Sequence, residues 1–153
     1  MKFLCDRMLG TLAKWLRVYG FDTFYANSEM NDEELLCIAK TENRTLITRD
    51  KNLSNVVRRE NLKVIEFCTT DLDEQLRLVL ANQKLYENQV LARCLICNSL
   101  LSEIKKDVVK KKVPKRVFEG NERFWFCSKC DKIYWKGTHY DKMIEKIDYL
   151  KKP

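Results

Sequence analysis

Two cysteine pairs set the tightest limit on what this chain can fold into. Cys94 and Cys97 form one C-x-x-C, Cys127 and Cys130 form a second, and 29 residues lie between the pairs. Each pair sets two sulfurs on one side of a tight turn, and two such turns complete a tetrahedron without a fifth ligand. The pattern predicts a structural zinc site, one ion per chain, held by Cys94, Cys97, Cys127 and Cys130. Asn98, Ser128 and Lys129 lie in or after these turns and suit exposed amides that face the sulfurs. A redox enzyme needs only one such pair. A closed four-thiolate site has no open coordination position, so any catalysis must lie elsewhere.

The other three cysteines, Cys5, Cys37 and Cys68, sit in apolar stretches and are expected as small core residues. Seven cysteines without a secretory signal argue against a disulfide framework. Lys2, Asp6 and Arg7 interrupt the N-terminal apolar run, and no run is long enough for a membrane span. The expected location is the cytoplasm.

Ahead of the cysteines the chain has a different pattern. Lys2–Asp6 is a short apolar run ending in a carboxylate; Leu9, Leu12, Ala13, Leu16 and Tyr19 then recur at helical spacing. Lys14 and Arg17 fall off that face, and Gly20 suits a C-terminal cap. Phe21–Ala26 reads as a strand, and Asn31 with Glu34 as a capping box for the next helix. Thr45–Asp50 is β-prone, Asn52–Arg59 a short helix, Leu62–Phe67 a strand, and Asp71–Ala81 a helix with an Asp71/Glu74 box. Strand and helix alternating about four times predicts an α/β fold, a mainly parallel sheet flanked by helices. Continuous apolar strands agree, because parallel strands are buried on both faces. The small zinc-binding region follows, so residues 1–90 and 91–153 are expected as two domains. The second closes with an amphipathic helix whose apolar face is Tyr140, Met143, Ile144, Ile147 and Leu150.

Open parallel sheets bind ligands beyond the C-terminal ends of their strands. Asp6 and Asp50 each end a predicted strand, and Asp32 opens the helix between them, so all three could reach one cleft. Three adjacent carboxylates repel unless a cation lies among them, and all-oxygen ligands select Mg²⁺ or Mn²⁺. The competing reading is that each aspartate caps a helix, since each stands just before or at a helix start.

Charge is uneven. The chain carries a net +7, but residues 91–153 hold 16 Lys/Arg against 8 Asp/Glu, leaving the first 90 residues at −1. A basic end on a neutral body suggests a polyanion partner. Lys105, Lys106, Lys110, Lys111, Lys112, Lys115 and Arg116 cluster ahead of Phe118, Phe124, Trp125, Phe126, Tyr134, Trp135 and Tyr140. Lysines for phosphates beside rings for bases describe a surface for single-stranded nucleic acid, with Trp135 among the stacking candidates. Against that, some rings must form the core of so small a region. Thr138 is placed to cap the closing helix, which would put His139, the only histidine, in its first turn near phosphate or simply in a structural role. Arg7, Lys14, Arg17 and Arg49 flank the acidic motifs and could guide phosphates.

FLCDRMLGTLAKWLRVYGFDTFY, NDEELLCIA, RTLITRD, RCLICN and FWFCSKCDKIYWKGTHYDKM together resemble the Mut-seven C-terminal RNase family. That family is a PIN-like nuclease domain followed by a zinc ribbon. The resemblance implies a metal-dependent RNase, with Asp6, Asp50 and Asp32 as catalytic residues that hold Mg²⁺ or Mn²⁺. Its partner would be single-stranded RNA bound by the ribbon. A fourth acidic position has no clear match; Asp71 and Asp73 read as helix-start residues. The alternative is a non-catalytic RNA-binding adaptor or a protein-interaction module.

Overall fold

The computed structural model describes residues 1–152. Four βα units come first: β1 (Lys2–Cys5), α1 (Gly10–Val18), β2 (Asp22–Tyr25), α2 (Asp32–Thr41), β3 (Thr45–Thr48), α3 (Lys51–Arg59), β4 (Val64–Glu66) and α4 (Leu72–Leu80). The strands form one wholly parallel sheet in the order β2-β1-β3-β4. Alternation along the strands sorts the core into two layers. Phe3, Cys5 and Ile47 join α1 and α4 on one face, through Leu12, Leu16, Leu76 and Val79. Leu4 and Leu46 join α2 and α3 on the other, through Leu35, Ala39, Leu53 and Val57. The α/β reading therefore holds.

Local signals place the helix ends. Asn31 and Glu34 form the full capping box of α2, each side chain accepting from the other's amide (2.9 and 2.8 Å). At α4 only the forward half of the expected box forms: Asp71 accepts from the Glu74 amide, while its own amide donates to Thr69. Gly20 has φ +86°, and a Cβ there would lie 2.4 Å from the Gln89 carbonyl oxygen, so only glycine fits that crossing.

The second sheet is a three-stranded antiparallel ribbon of β5 (Ser102–Ile104), β6 (Phe124–Cys127) and β7 (Lys132–Trp135). Between β5 and β6 the lysine-rich segment folds into two short helices, α5 (Lys106–Val109) and α6 (Lys115–Gly120), with Val109 fully buried. The last helix, α7 (Thr138–Lys151), returns to the first sheet. Its expected apolar face packs there: Ile147 and Leu150 are buried with α1 and α4, and Tyr140, Met143 and Ile144 lean on the same cluster. Gly137, not Thr138, is the N-cap of α7, and no side chain caps it.

Two expectations about burial fail. Cys5 is buried, but Cys37 and Cys68 are exposed. On α2 the buried residues are Leu35 and Ala39, one turn apart, and Cys37 lies halfway between them on the outer face. Cys68 lies beyond the end of β4. Conversely Arg17, placed off the apolar face by sequence, is only 6% exposed. Its guanidinium donates to the carbonyls of Thr23 (3.0 Å), Leu95 and Ile96 (both 2.9 Å) and is not free to meet phosphate.

Beside Arg17, Asp22 accepts from Arg44 (2.7 Å) and from the Asn98 side chain (2.8 Å), with Arg93 at 3.7 Å. Partial burial raises the Asp22 carboxyl, but Arg44 and Asn98 outweigh it and hold it below the ordinary carboxylate range. A native pKa below the unfolded one stabilises above the unfolded value, about 4, and that contribution is lost as pH falls through the native value. Urea unfolding of Asp22→Asn and of the native chain should therefore differ at pH 7, the gap closing on acidification below about pH 4. A gap that persists at pH 2 would remove the carboxylate from this account.

Candidate functional site

The thiols come together as their spacing requires. The four Sγ atoms lie within 4.8 Å of one another, and Cys97 and Cys127 are 3.5 Å apart. Sulfurs at the corners of a Zn–S tetrahedron of 2.3 Å bonds stand about 3.8 Å apart, so the donor set fits that ion. Each turn ends in a left-handed residue, Asn98 (φ 69°) and Asp131 (φ 51°), which folds the backbone back toward the sulfurs. Among the supporting contacts, Tyr134 Oη lies 3.2 Å from Cys94 Sγ while accepting the Leu95 amide. Ser99 Oγ sits 3.3 Å from Cys97 Sγ, and the Cys130 amide donates to Cys127 Sγ (3.4 Å). Burial raises the Cys97 thiol, but Ser99 and the neighbouring thiols outweigh it and bring it down to about 6. Cys130, hydrogen-bonded to the Cys97 sulfur, is pushed up to about 12. The cluster gives up its first proton readily and keeps others for a cation to displace.

At the other candidate site the sheet reverses its strand order around β1, which places the crevice at the C-terminal ends of β1 and β3. Asp6 and Asp50 follow those strands. Asp6 is 6% exposed and does not cap α1, whose N-cap is Leu9. Its Oδ2 accepts from the buried Thr48 hydroxyl (2.8 Å), and Oδ1 from the Arg7 amide (2.7 Å) and Nε (3.3 Å). Thr48 in turn accepts the Asp50 amide (2.9 Å), so one hydroxyl sits between the two carboxylate residues. Asp50 does cap α3, through Oδ1 alone, which accepts from Asn52 and Leu53 (2.8 and 3.2 Å). Capping therefore occupies one oxygen and leaves the other for a ligand; the two readings of Asp50 are compatible.

Asp32 is the first residue of α2, with Asn31 as the cap. Arg7 joins it to Asp6: Nη2 donates to Asp32 Oδ1 (2.8 Å) and Nη1 to the Met30 carbonyl (2.6 Å). Among the described residues, Asp6, Asp32 and Asp50 do not form a group with all ligand oxygens within 4.8 Å, as the thiols do. The Asp6 and Asp50 side offers hard oxygen donors; on the Asp32 side a guanidinium supplies the positive charge. Thr48 went unnoticed in the sequence, though a hydroxyl two residues before Asp50 on a strand end was the available signal. Tyr25 Oη likewise donates to the Arg7 carbonyl (2.6 Å), bracing this edge. Asp71 and Asp73 sit at the start of α4 as expected.

On the ribbon, Lys105, Lys110, Lys111, Lys112, Lys115 and Arg116 are exposed. Lys106 is held by Glu122 (2.8 Å) and packs over Phe118, and Lys115 approaches Glu119 (3.8 Å). Phe124 is fully buried; Phe118, Trp125, Phe126, Tyr134, Trp135 and Tyr140 are half-buried. Lys112 and Trp135 line one depression with Lys132. His139 is exposed in the first turn of α7. No helix among the described residues is long and apolar enough to cross a membrane.

One zinc per chain is expected by elemental analysis, and Cys127→Ser should lose it, with metal release on acidification as thiolates reprotonate. Full zinc in that variant would exclude the four-cysteine site.

No curated protein matches the chain. A family model described as Mut7-C RNAse domain matches residues 1–147. The chain belongs to the Mut7-C RNAse domain family.

Proposed function

We propose that the chain is a metal-dependent ribonuclease that hydrolyses phosphodiester bonds at the Asp6/Asp50 edge. The observation that carries this reading is the Asp6–Thr48–Asp50 arrangement at the crevice, where the Thr48 hydroxyl donates to the Asp6 carboxylate and accepts the Asp50 backbone amide, joining two aspartates that follow neighbouring strands. Asp6 and Asp50 would hold Mg²⁺ or Mn²⁺, with Asp32 as third carboxylate. Such an ion supplies charge stabilisation and an activated water. The chain's own residues do the rest. Thr48 orients Asp6 Oδ2, and the α3 cap holds Asp50 by Oδ1 and leaves its other oxygen uncapped. Arg7, a third exposed, balances Asp6 and Asp32 and is placed to turn toward a phosphate. The ribbon would bind single-stranded RNA through Lys105, Lys106, Lys110, Lys111, Lys112, Lys115 and Arg116, with Trp135 and His139. Its structural zinc is held by the four cysteines.

A second reading draws on Arg7 itself. Because its guanidinium already satisfies Asp6 and Asp32, the edge needs no metal to be stable, as in a non-catalytic RNA-binding adaptor. Asp50→Asn separates the two. Asparagine keeps the capping oxygen and removes the charge, so stability, zinc content and RNA affinity should stay near native. Cleavage with Mg²⁺ or Mn²⁺ should fall about a hundredfold or more. Asp6→Asn should behave alike and the double variant lose little more, since ligands of one ion act together. Native cleavage rates in both single variants would leave the adaptor as the function.

The lysines are tested by salt. Replacing Lys110, Lys111 and Lys112 with Gln should reduce the slope of log affinity against log salt by about two, at roughly 0.7 per phosphate contact on a single strand. An unchanged slope would move the binding surface elsewhere.

A further inference from the structure

A cavity of about 230 Å³ opens between β7, the first turn of α7 and the first cysteine turn. Tyr134, Trp135 and Tyr140 line it with Leu95, Ile133 and Met143, and its lining is mostly apolar. Gly137 makes its shape possible. A Cβ there would stand 3.1 Å from Trp135 Nε1, so the indole lies against bare backbone. Whole small-molecule sites usually occupy about 300–1,000 Å³, so this hollow suits a single ring system rather than an entire nucleotide.

Charge selects the occupant. Lys132 belongs to the lining, and Lys136 Nζ lies 4.8 Å from the Tyr140 ring and 5.3 Å from the Trp125 ring. A flat uncharged ring carried on a polyanion matches an aromatic hollow edged by ammonium groups. A duplex cannot enter it, because its bases are already stacked and paired.

We propose that this cavity is a slot for one unpaired nucleobase of a single-stranded nucleic acid, stacked against Trp135 and Tyr140, its neighbouring phosphates on Lys132 and Lys136. The proposal rests on the nucleic-acid-binding reading of the ribbon and adds where and how a base is held. The slot would thread the strand past α7, and base-stacking there adds affinity that phosphate contacts alone do not supply.

The test compares a ten-nucleotide uridine RNA with an abasic strand of equal length and charge, without added divalent cation. The native chain should bind the base-bearing strand about tenfold tighter. Trp135→Ala removes a wall, and Thr138→Leu places an aliphatic plug at an exposed lining position with good helix propensity. Both should bring the ratio of affinities toward one with native zinc content, and Thr138→Leu should do so at the native thermal midpoint. A ratio near one in the native chain, or a native ratio in both variants, overturns the slot. Failure of the nuclease reading looks different: Asp50→Asn would cleave at the native rate with the ratio untouched.

Discussion

A buried arginine ties the ribbon to the sheet. Arg17 takes one carbonyl from β2 and two from the first cysteine turn, and it can be buried as a charged group only because all three are met. Removing either partner segment would leave a guanidinium or several carbonyls without bonds in a low dielectric. Around it, Asn98 closes the same junction from the other side: Oδ1 accepts the Thr23 amide and Nδ2 donates to Asp22. Since β2 is an edge strand, these contacts also cover a row of groups that would otherwise invite pairing with another chain. The left-handed residue that shapes the thiol turn is thus the residue that seals the sheet. The thiol turn and the sheet edge are shaped by the same residue, one through its backbone and the other through its side chain.

The acidic edge follows from strand order. Placing β1 between β2 and β3 puts the crevice at their C-terminal ends, where Asp6 directly follows β1 and Asp50 stands two residues past β3. Thr48 keeps Asp6 ordered from the buried side, while Arg7 balances it from the open side. That division leaves an edge whose charge is compensated by a partly exposed side chain. Asp50 caps α3 with one carboxylate oxygen, and a carboxylate has two, so its structural duty leaves the other oxygen uncapped.

Much of this was legible in the residues. The C-x-x-C spacing specifies a tetrahedron because a tight turn allows few separations between its sulfurs. The continuous apolar runs KFLC and TLIT specify buried parallel strands, and Asn31 with Glu34 specifies where α2 begins, each through contacts spanning a few residues. Local signals of this kind erred in a few places, the half-formed Asp71/Glu74 box and the exposed Cys68 among them. Thr138 lost the α7 cap to Gly137, whose bare backbone meets Trp135, and Cys37 was displaced to the outer face by the register of α2.

The sequence by itself determined the elements, their α/β order and the two paired-thiol turns, because periodicity, capping and knuckle spacing all act within a few residues. Tertiary structure alone decided the fate of the charged groups. Arg17 reads as a solvent-facing helix residue until Leu95 and Ile96, some 78 residues away, deliver carbonyls to it. The Asp32 carboxylate and the Met30 carbonyl that meet Arg7 come from 25 and 23 residues away. Whether a charge is buried, paired or free depends on which partners the fold brings to it, and long-range partners leave no periodic trace in the chain.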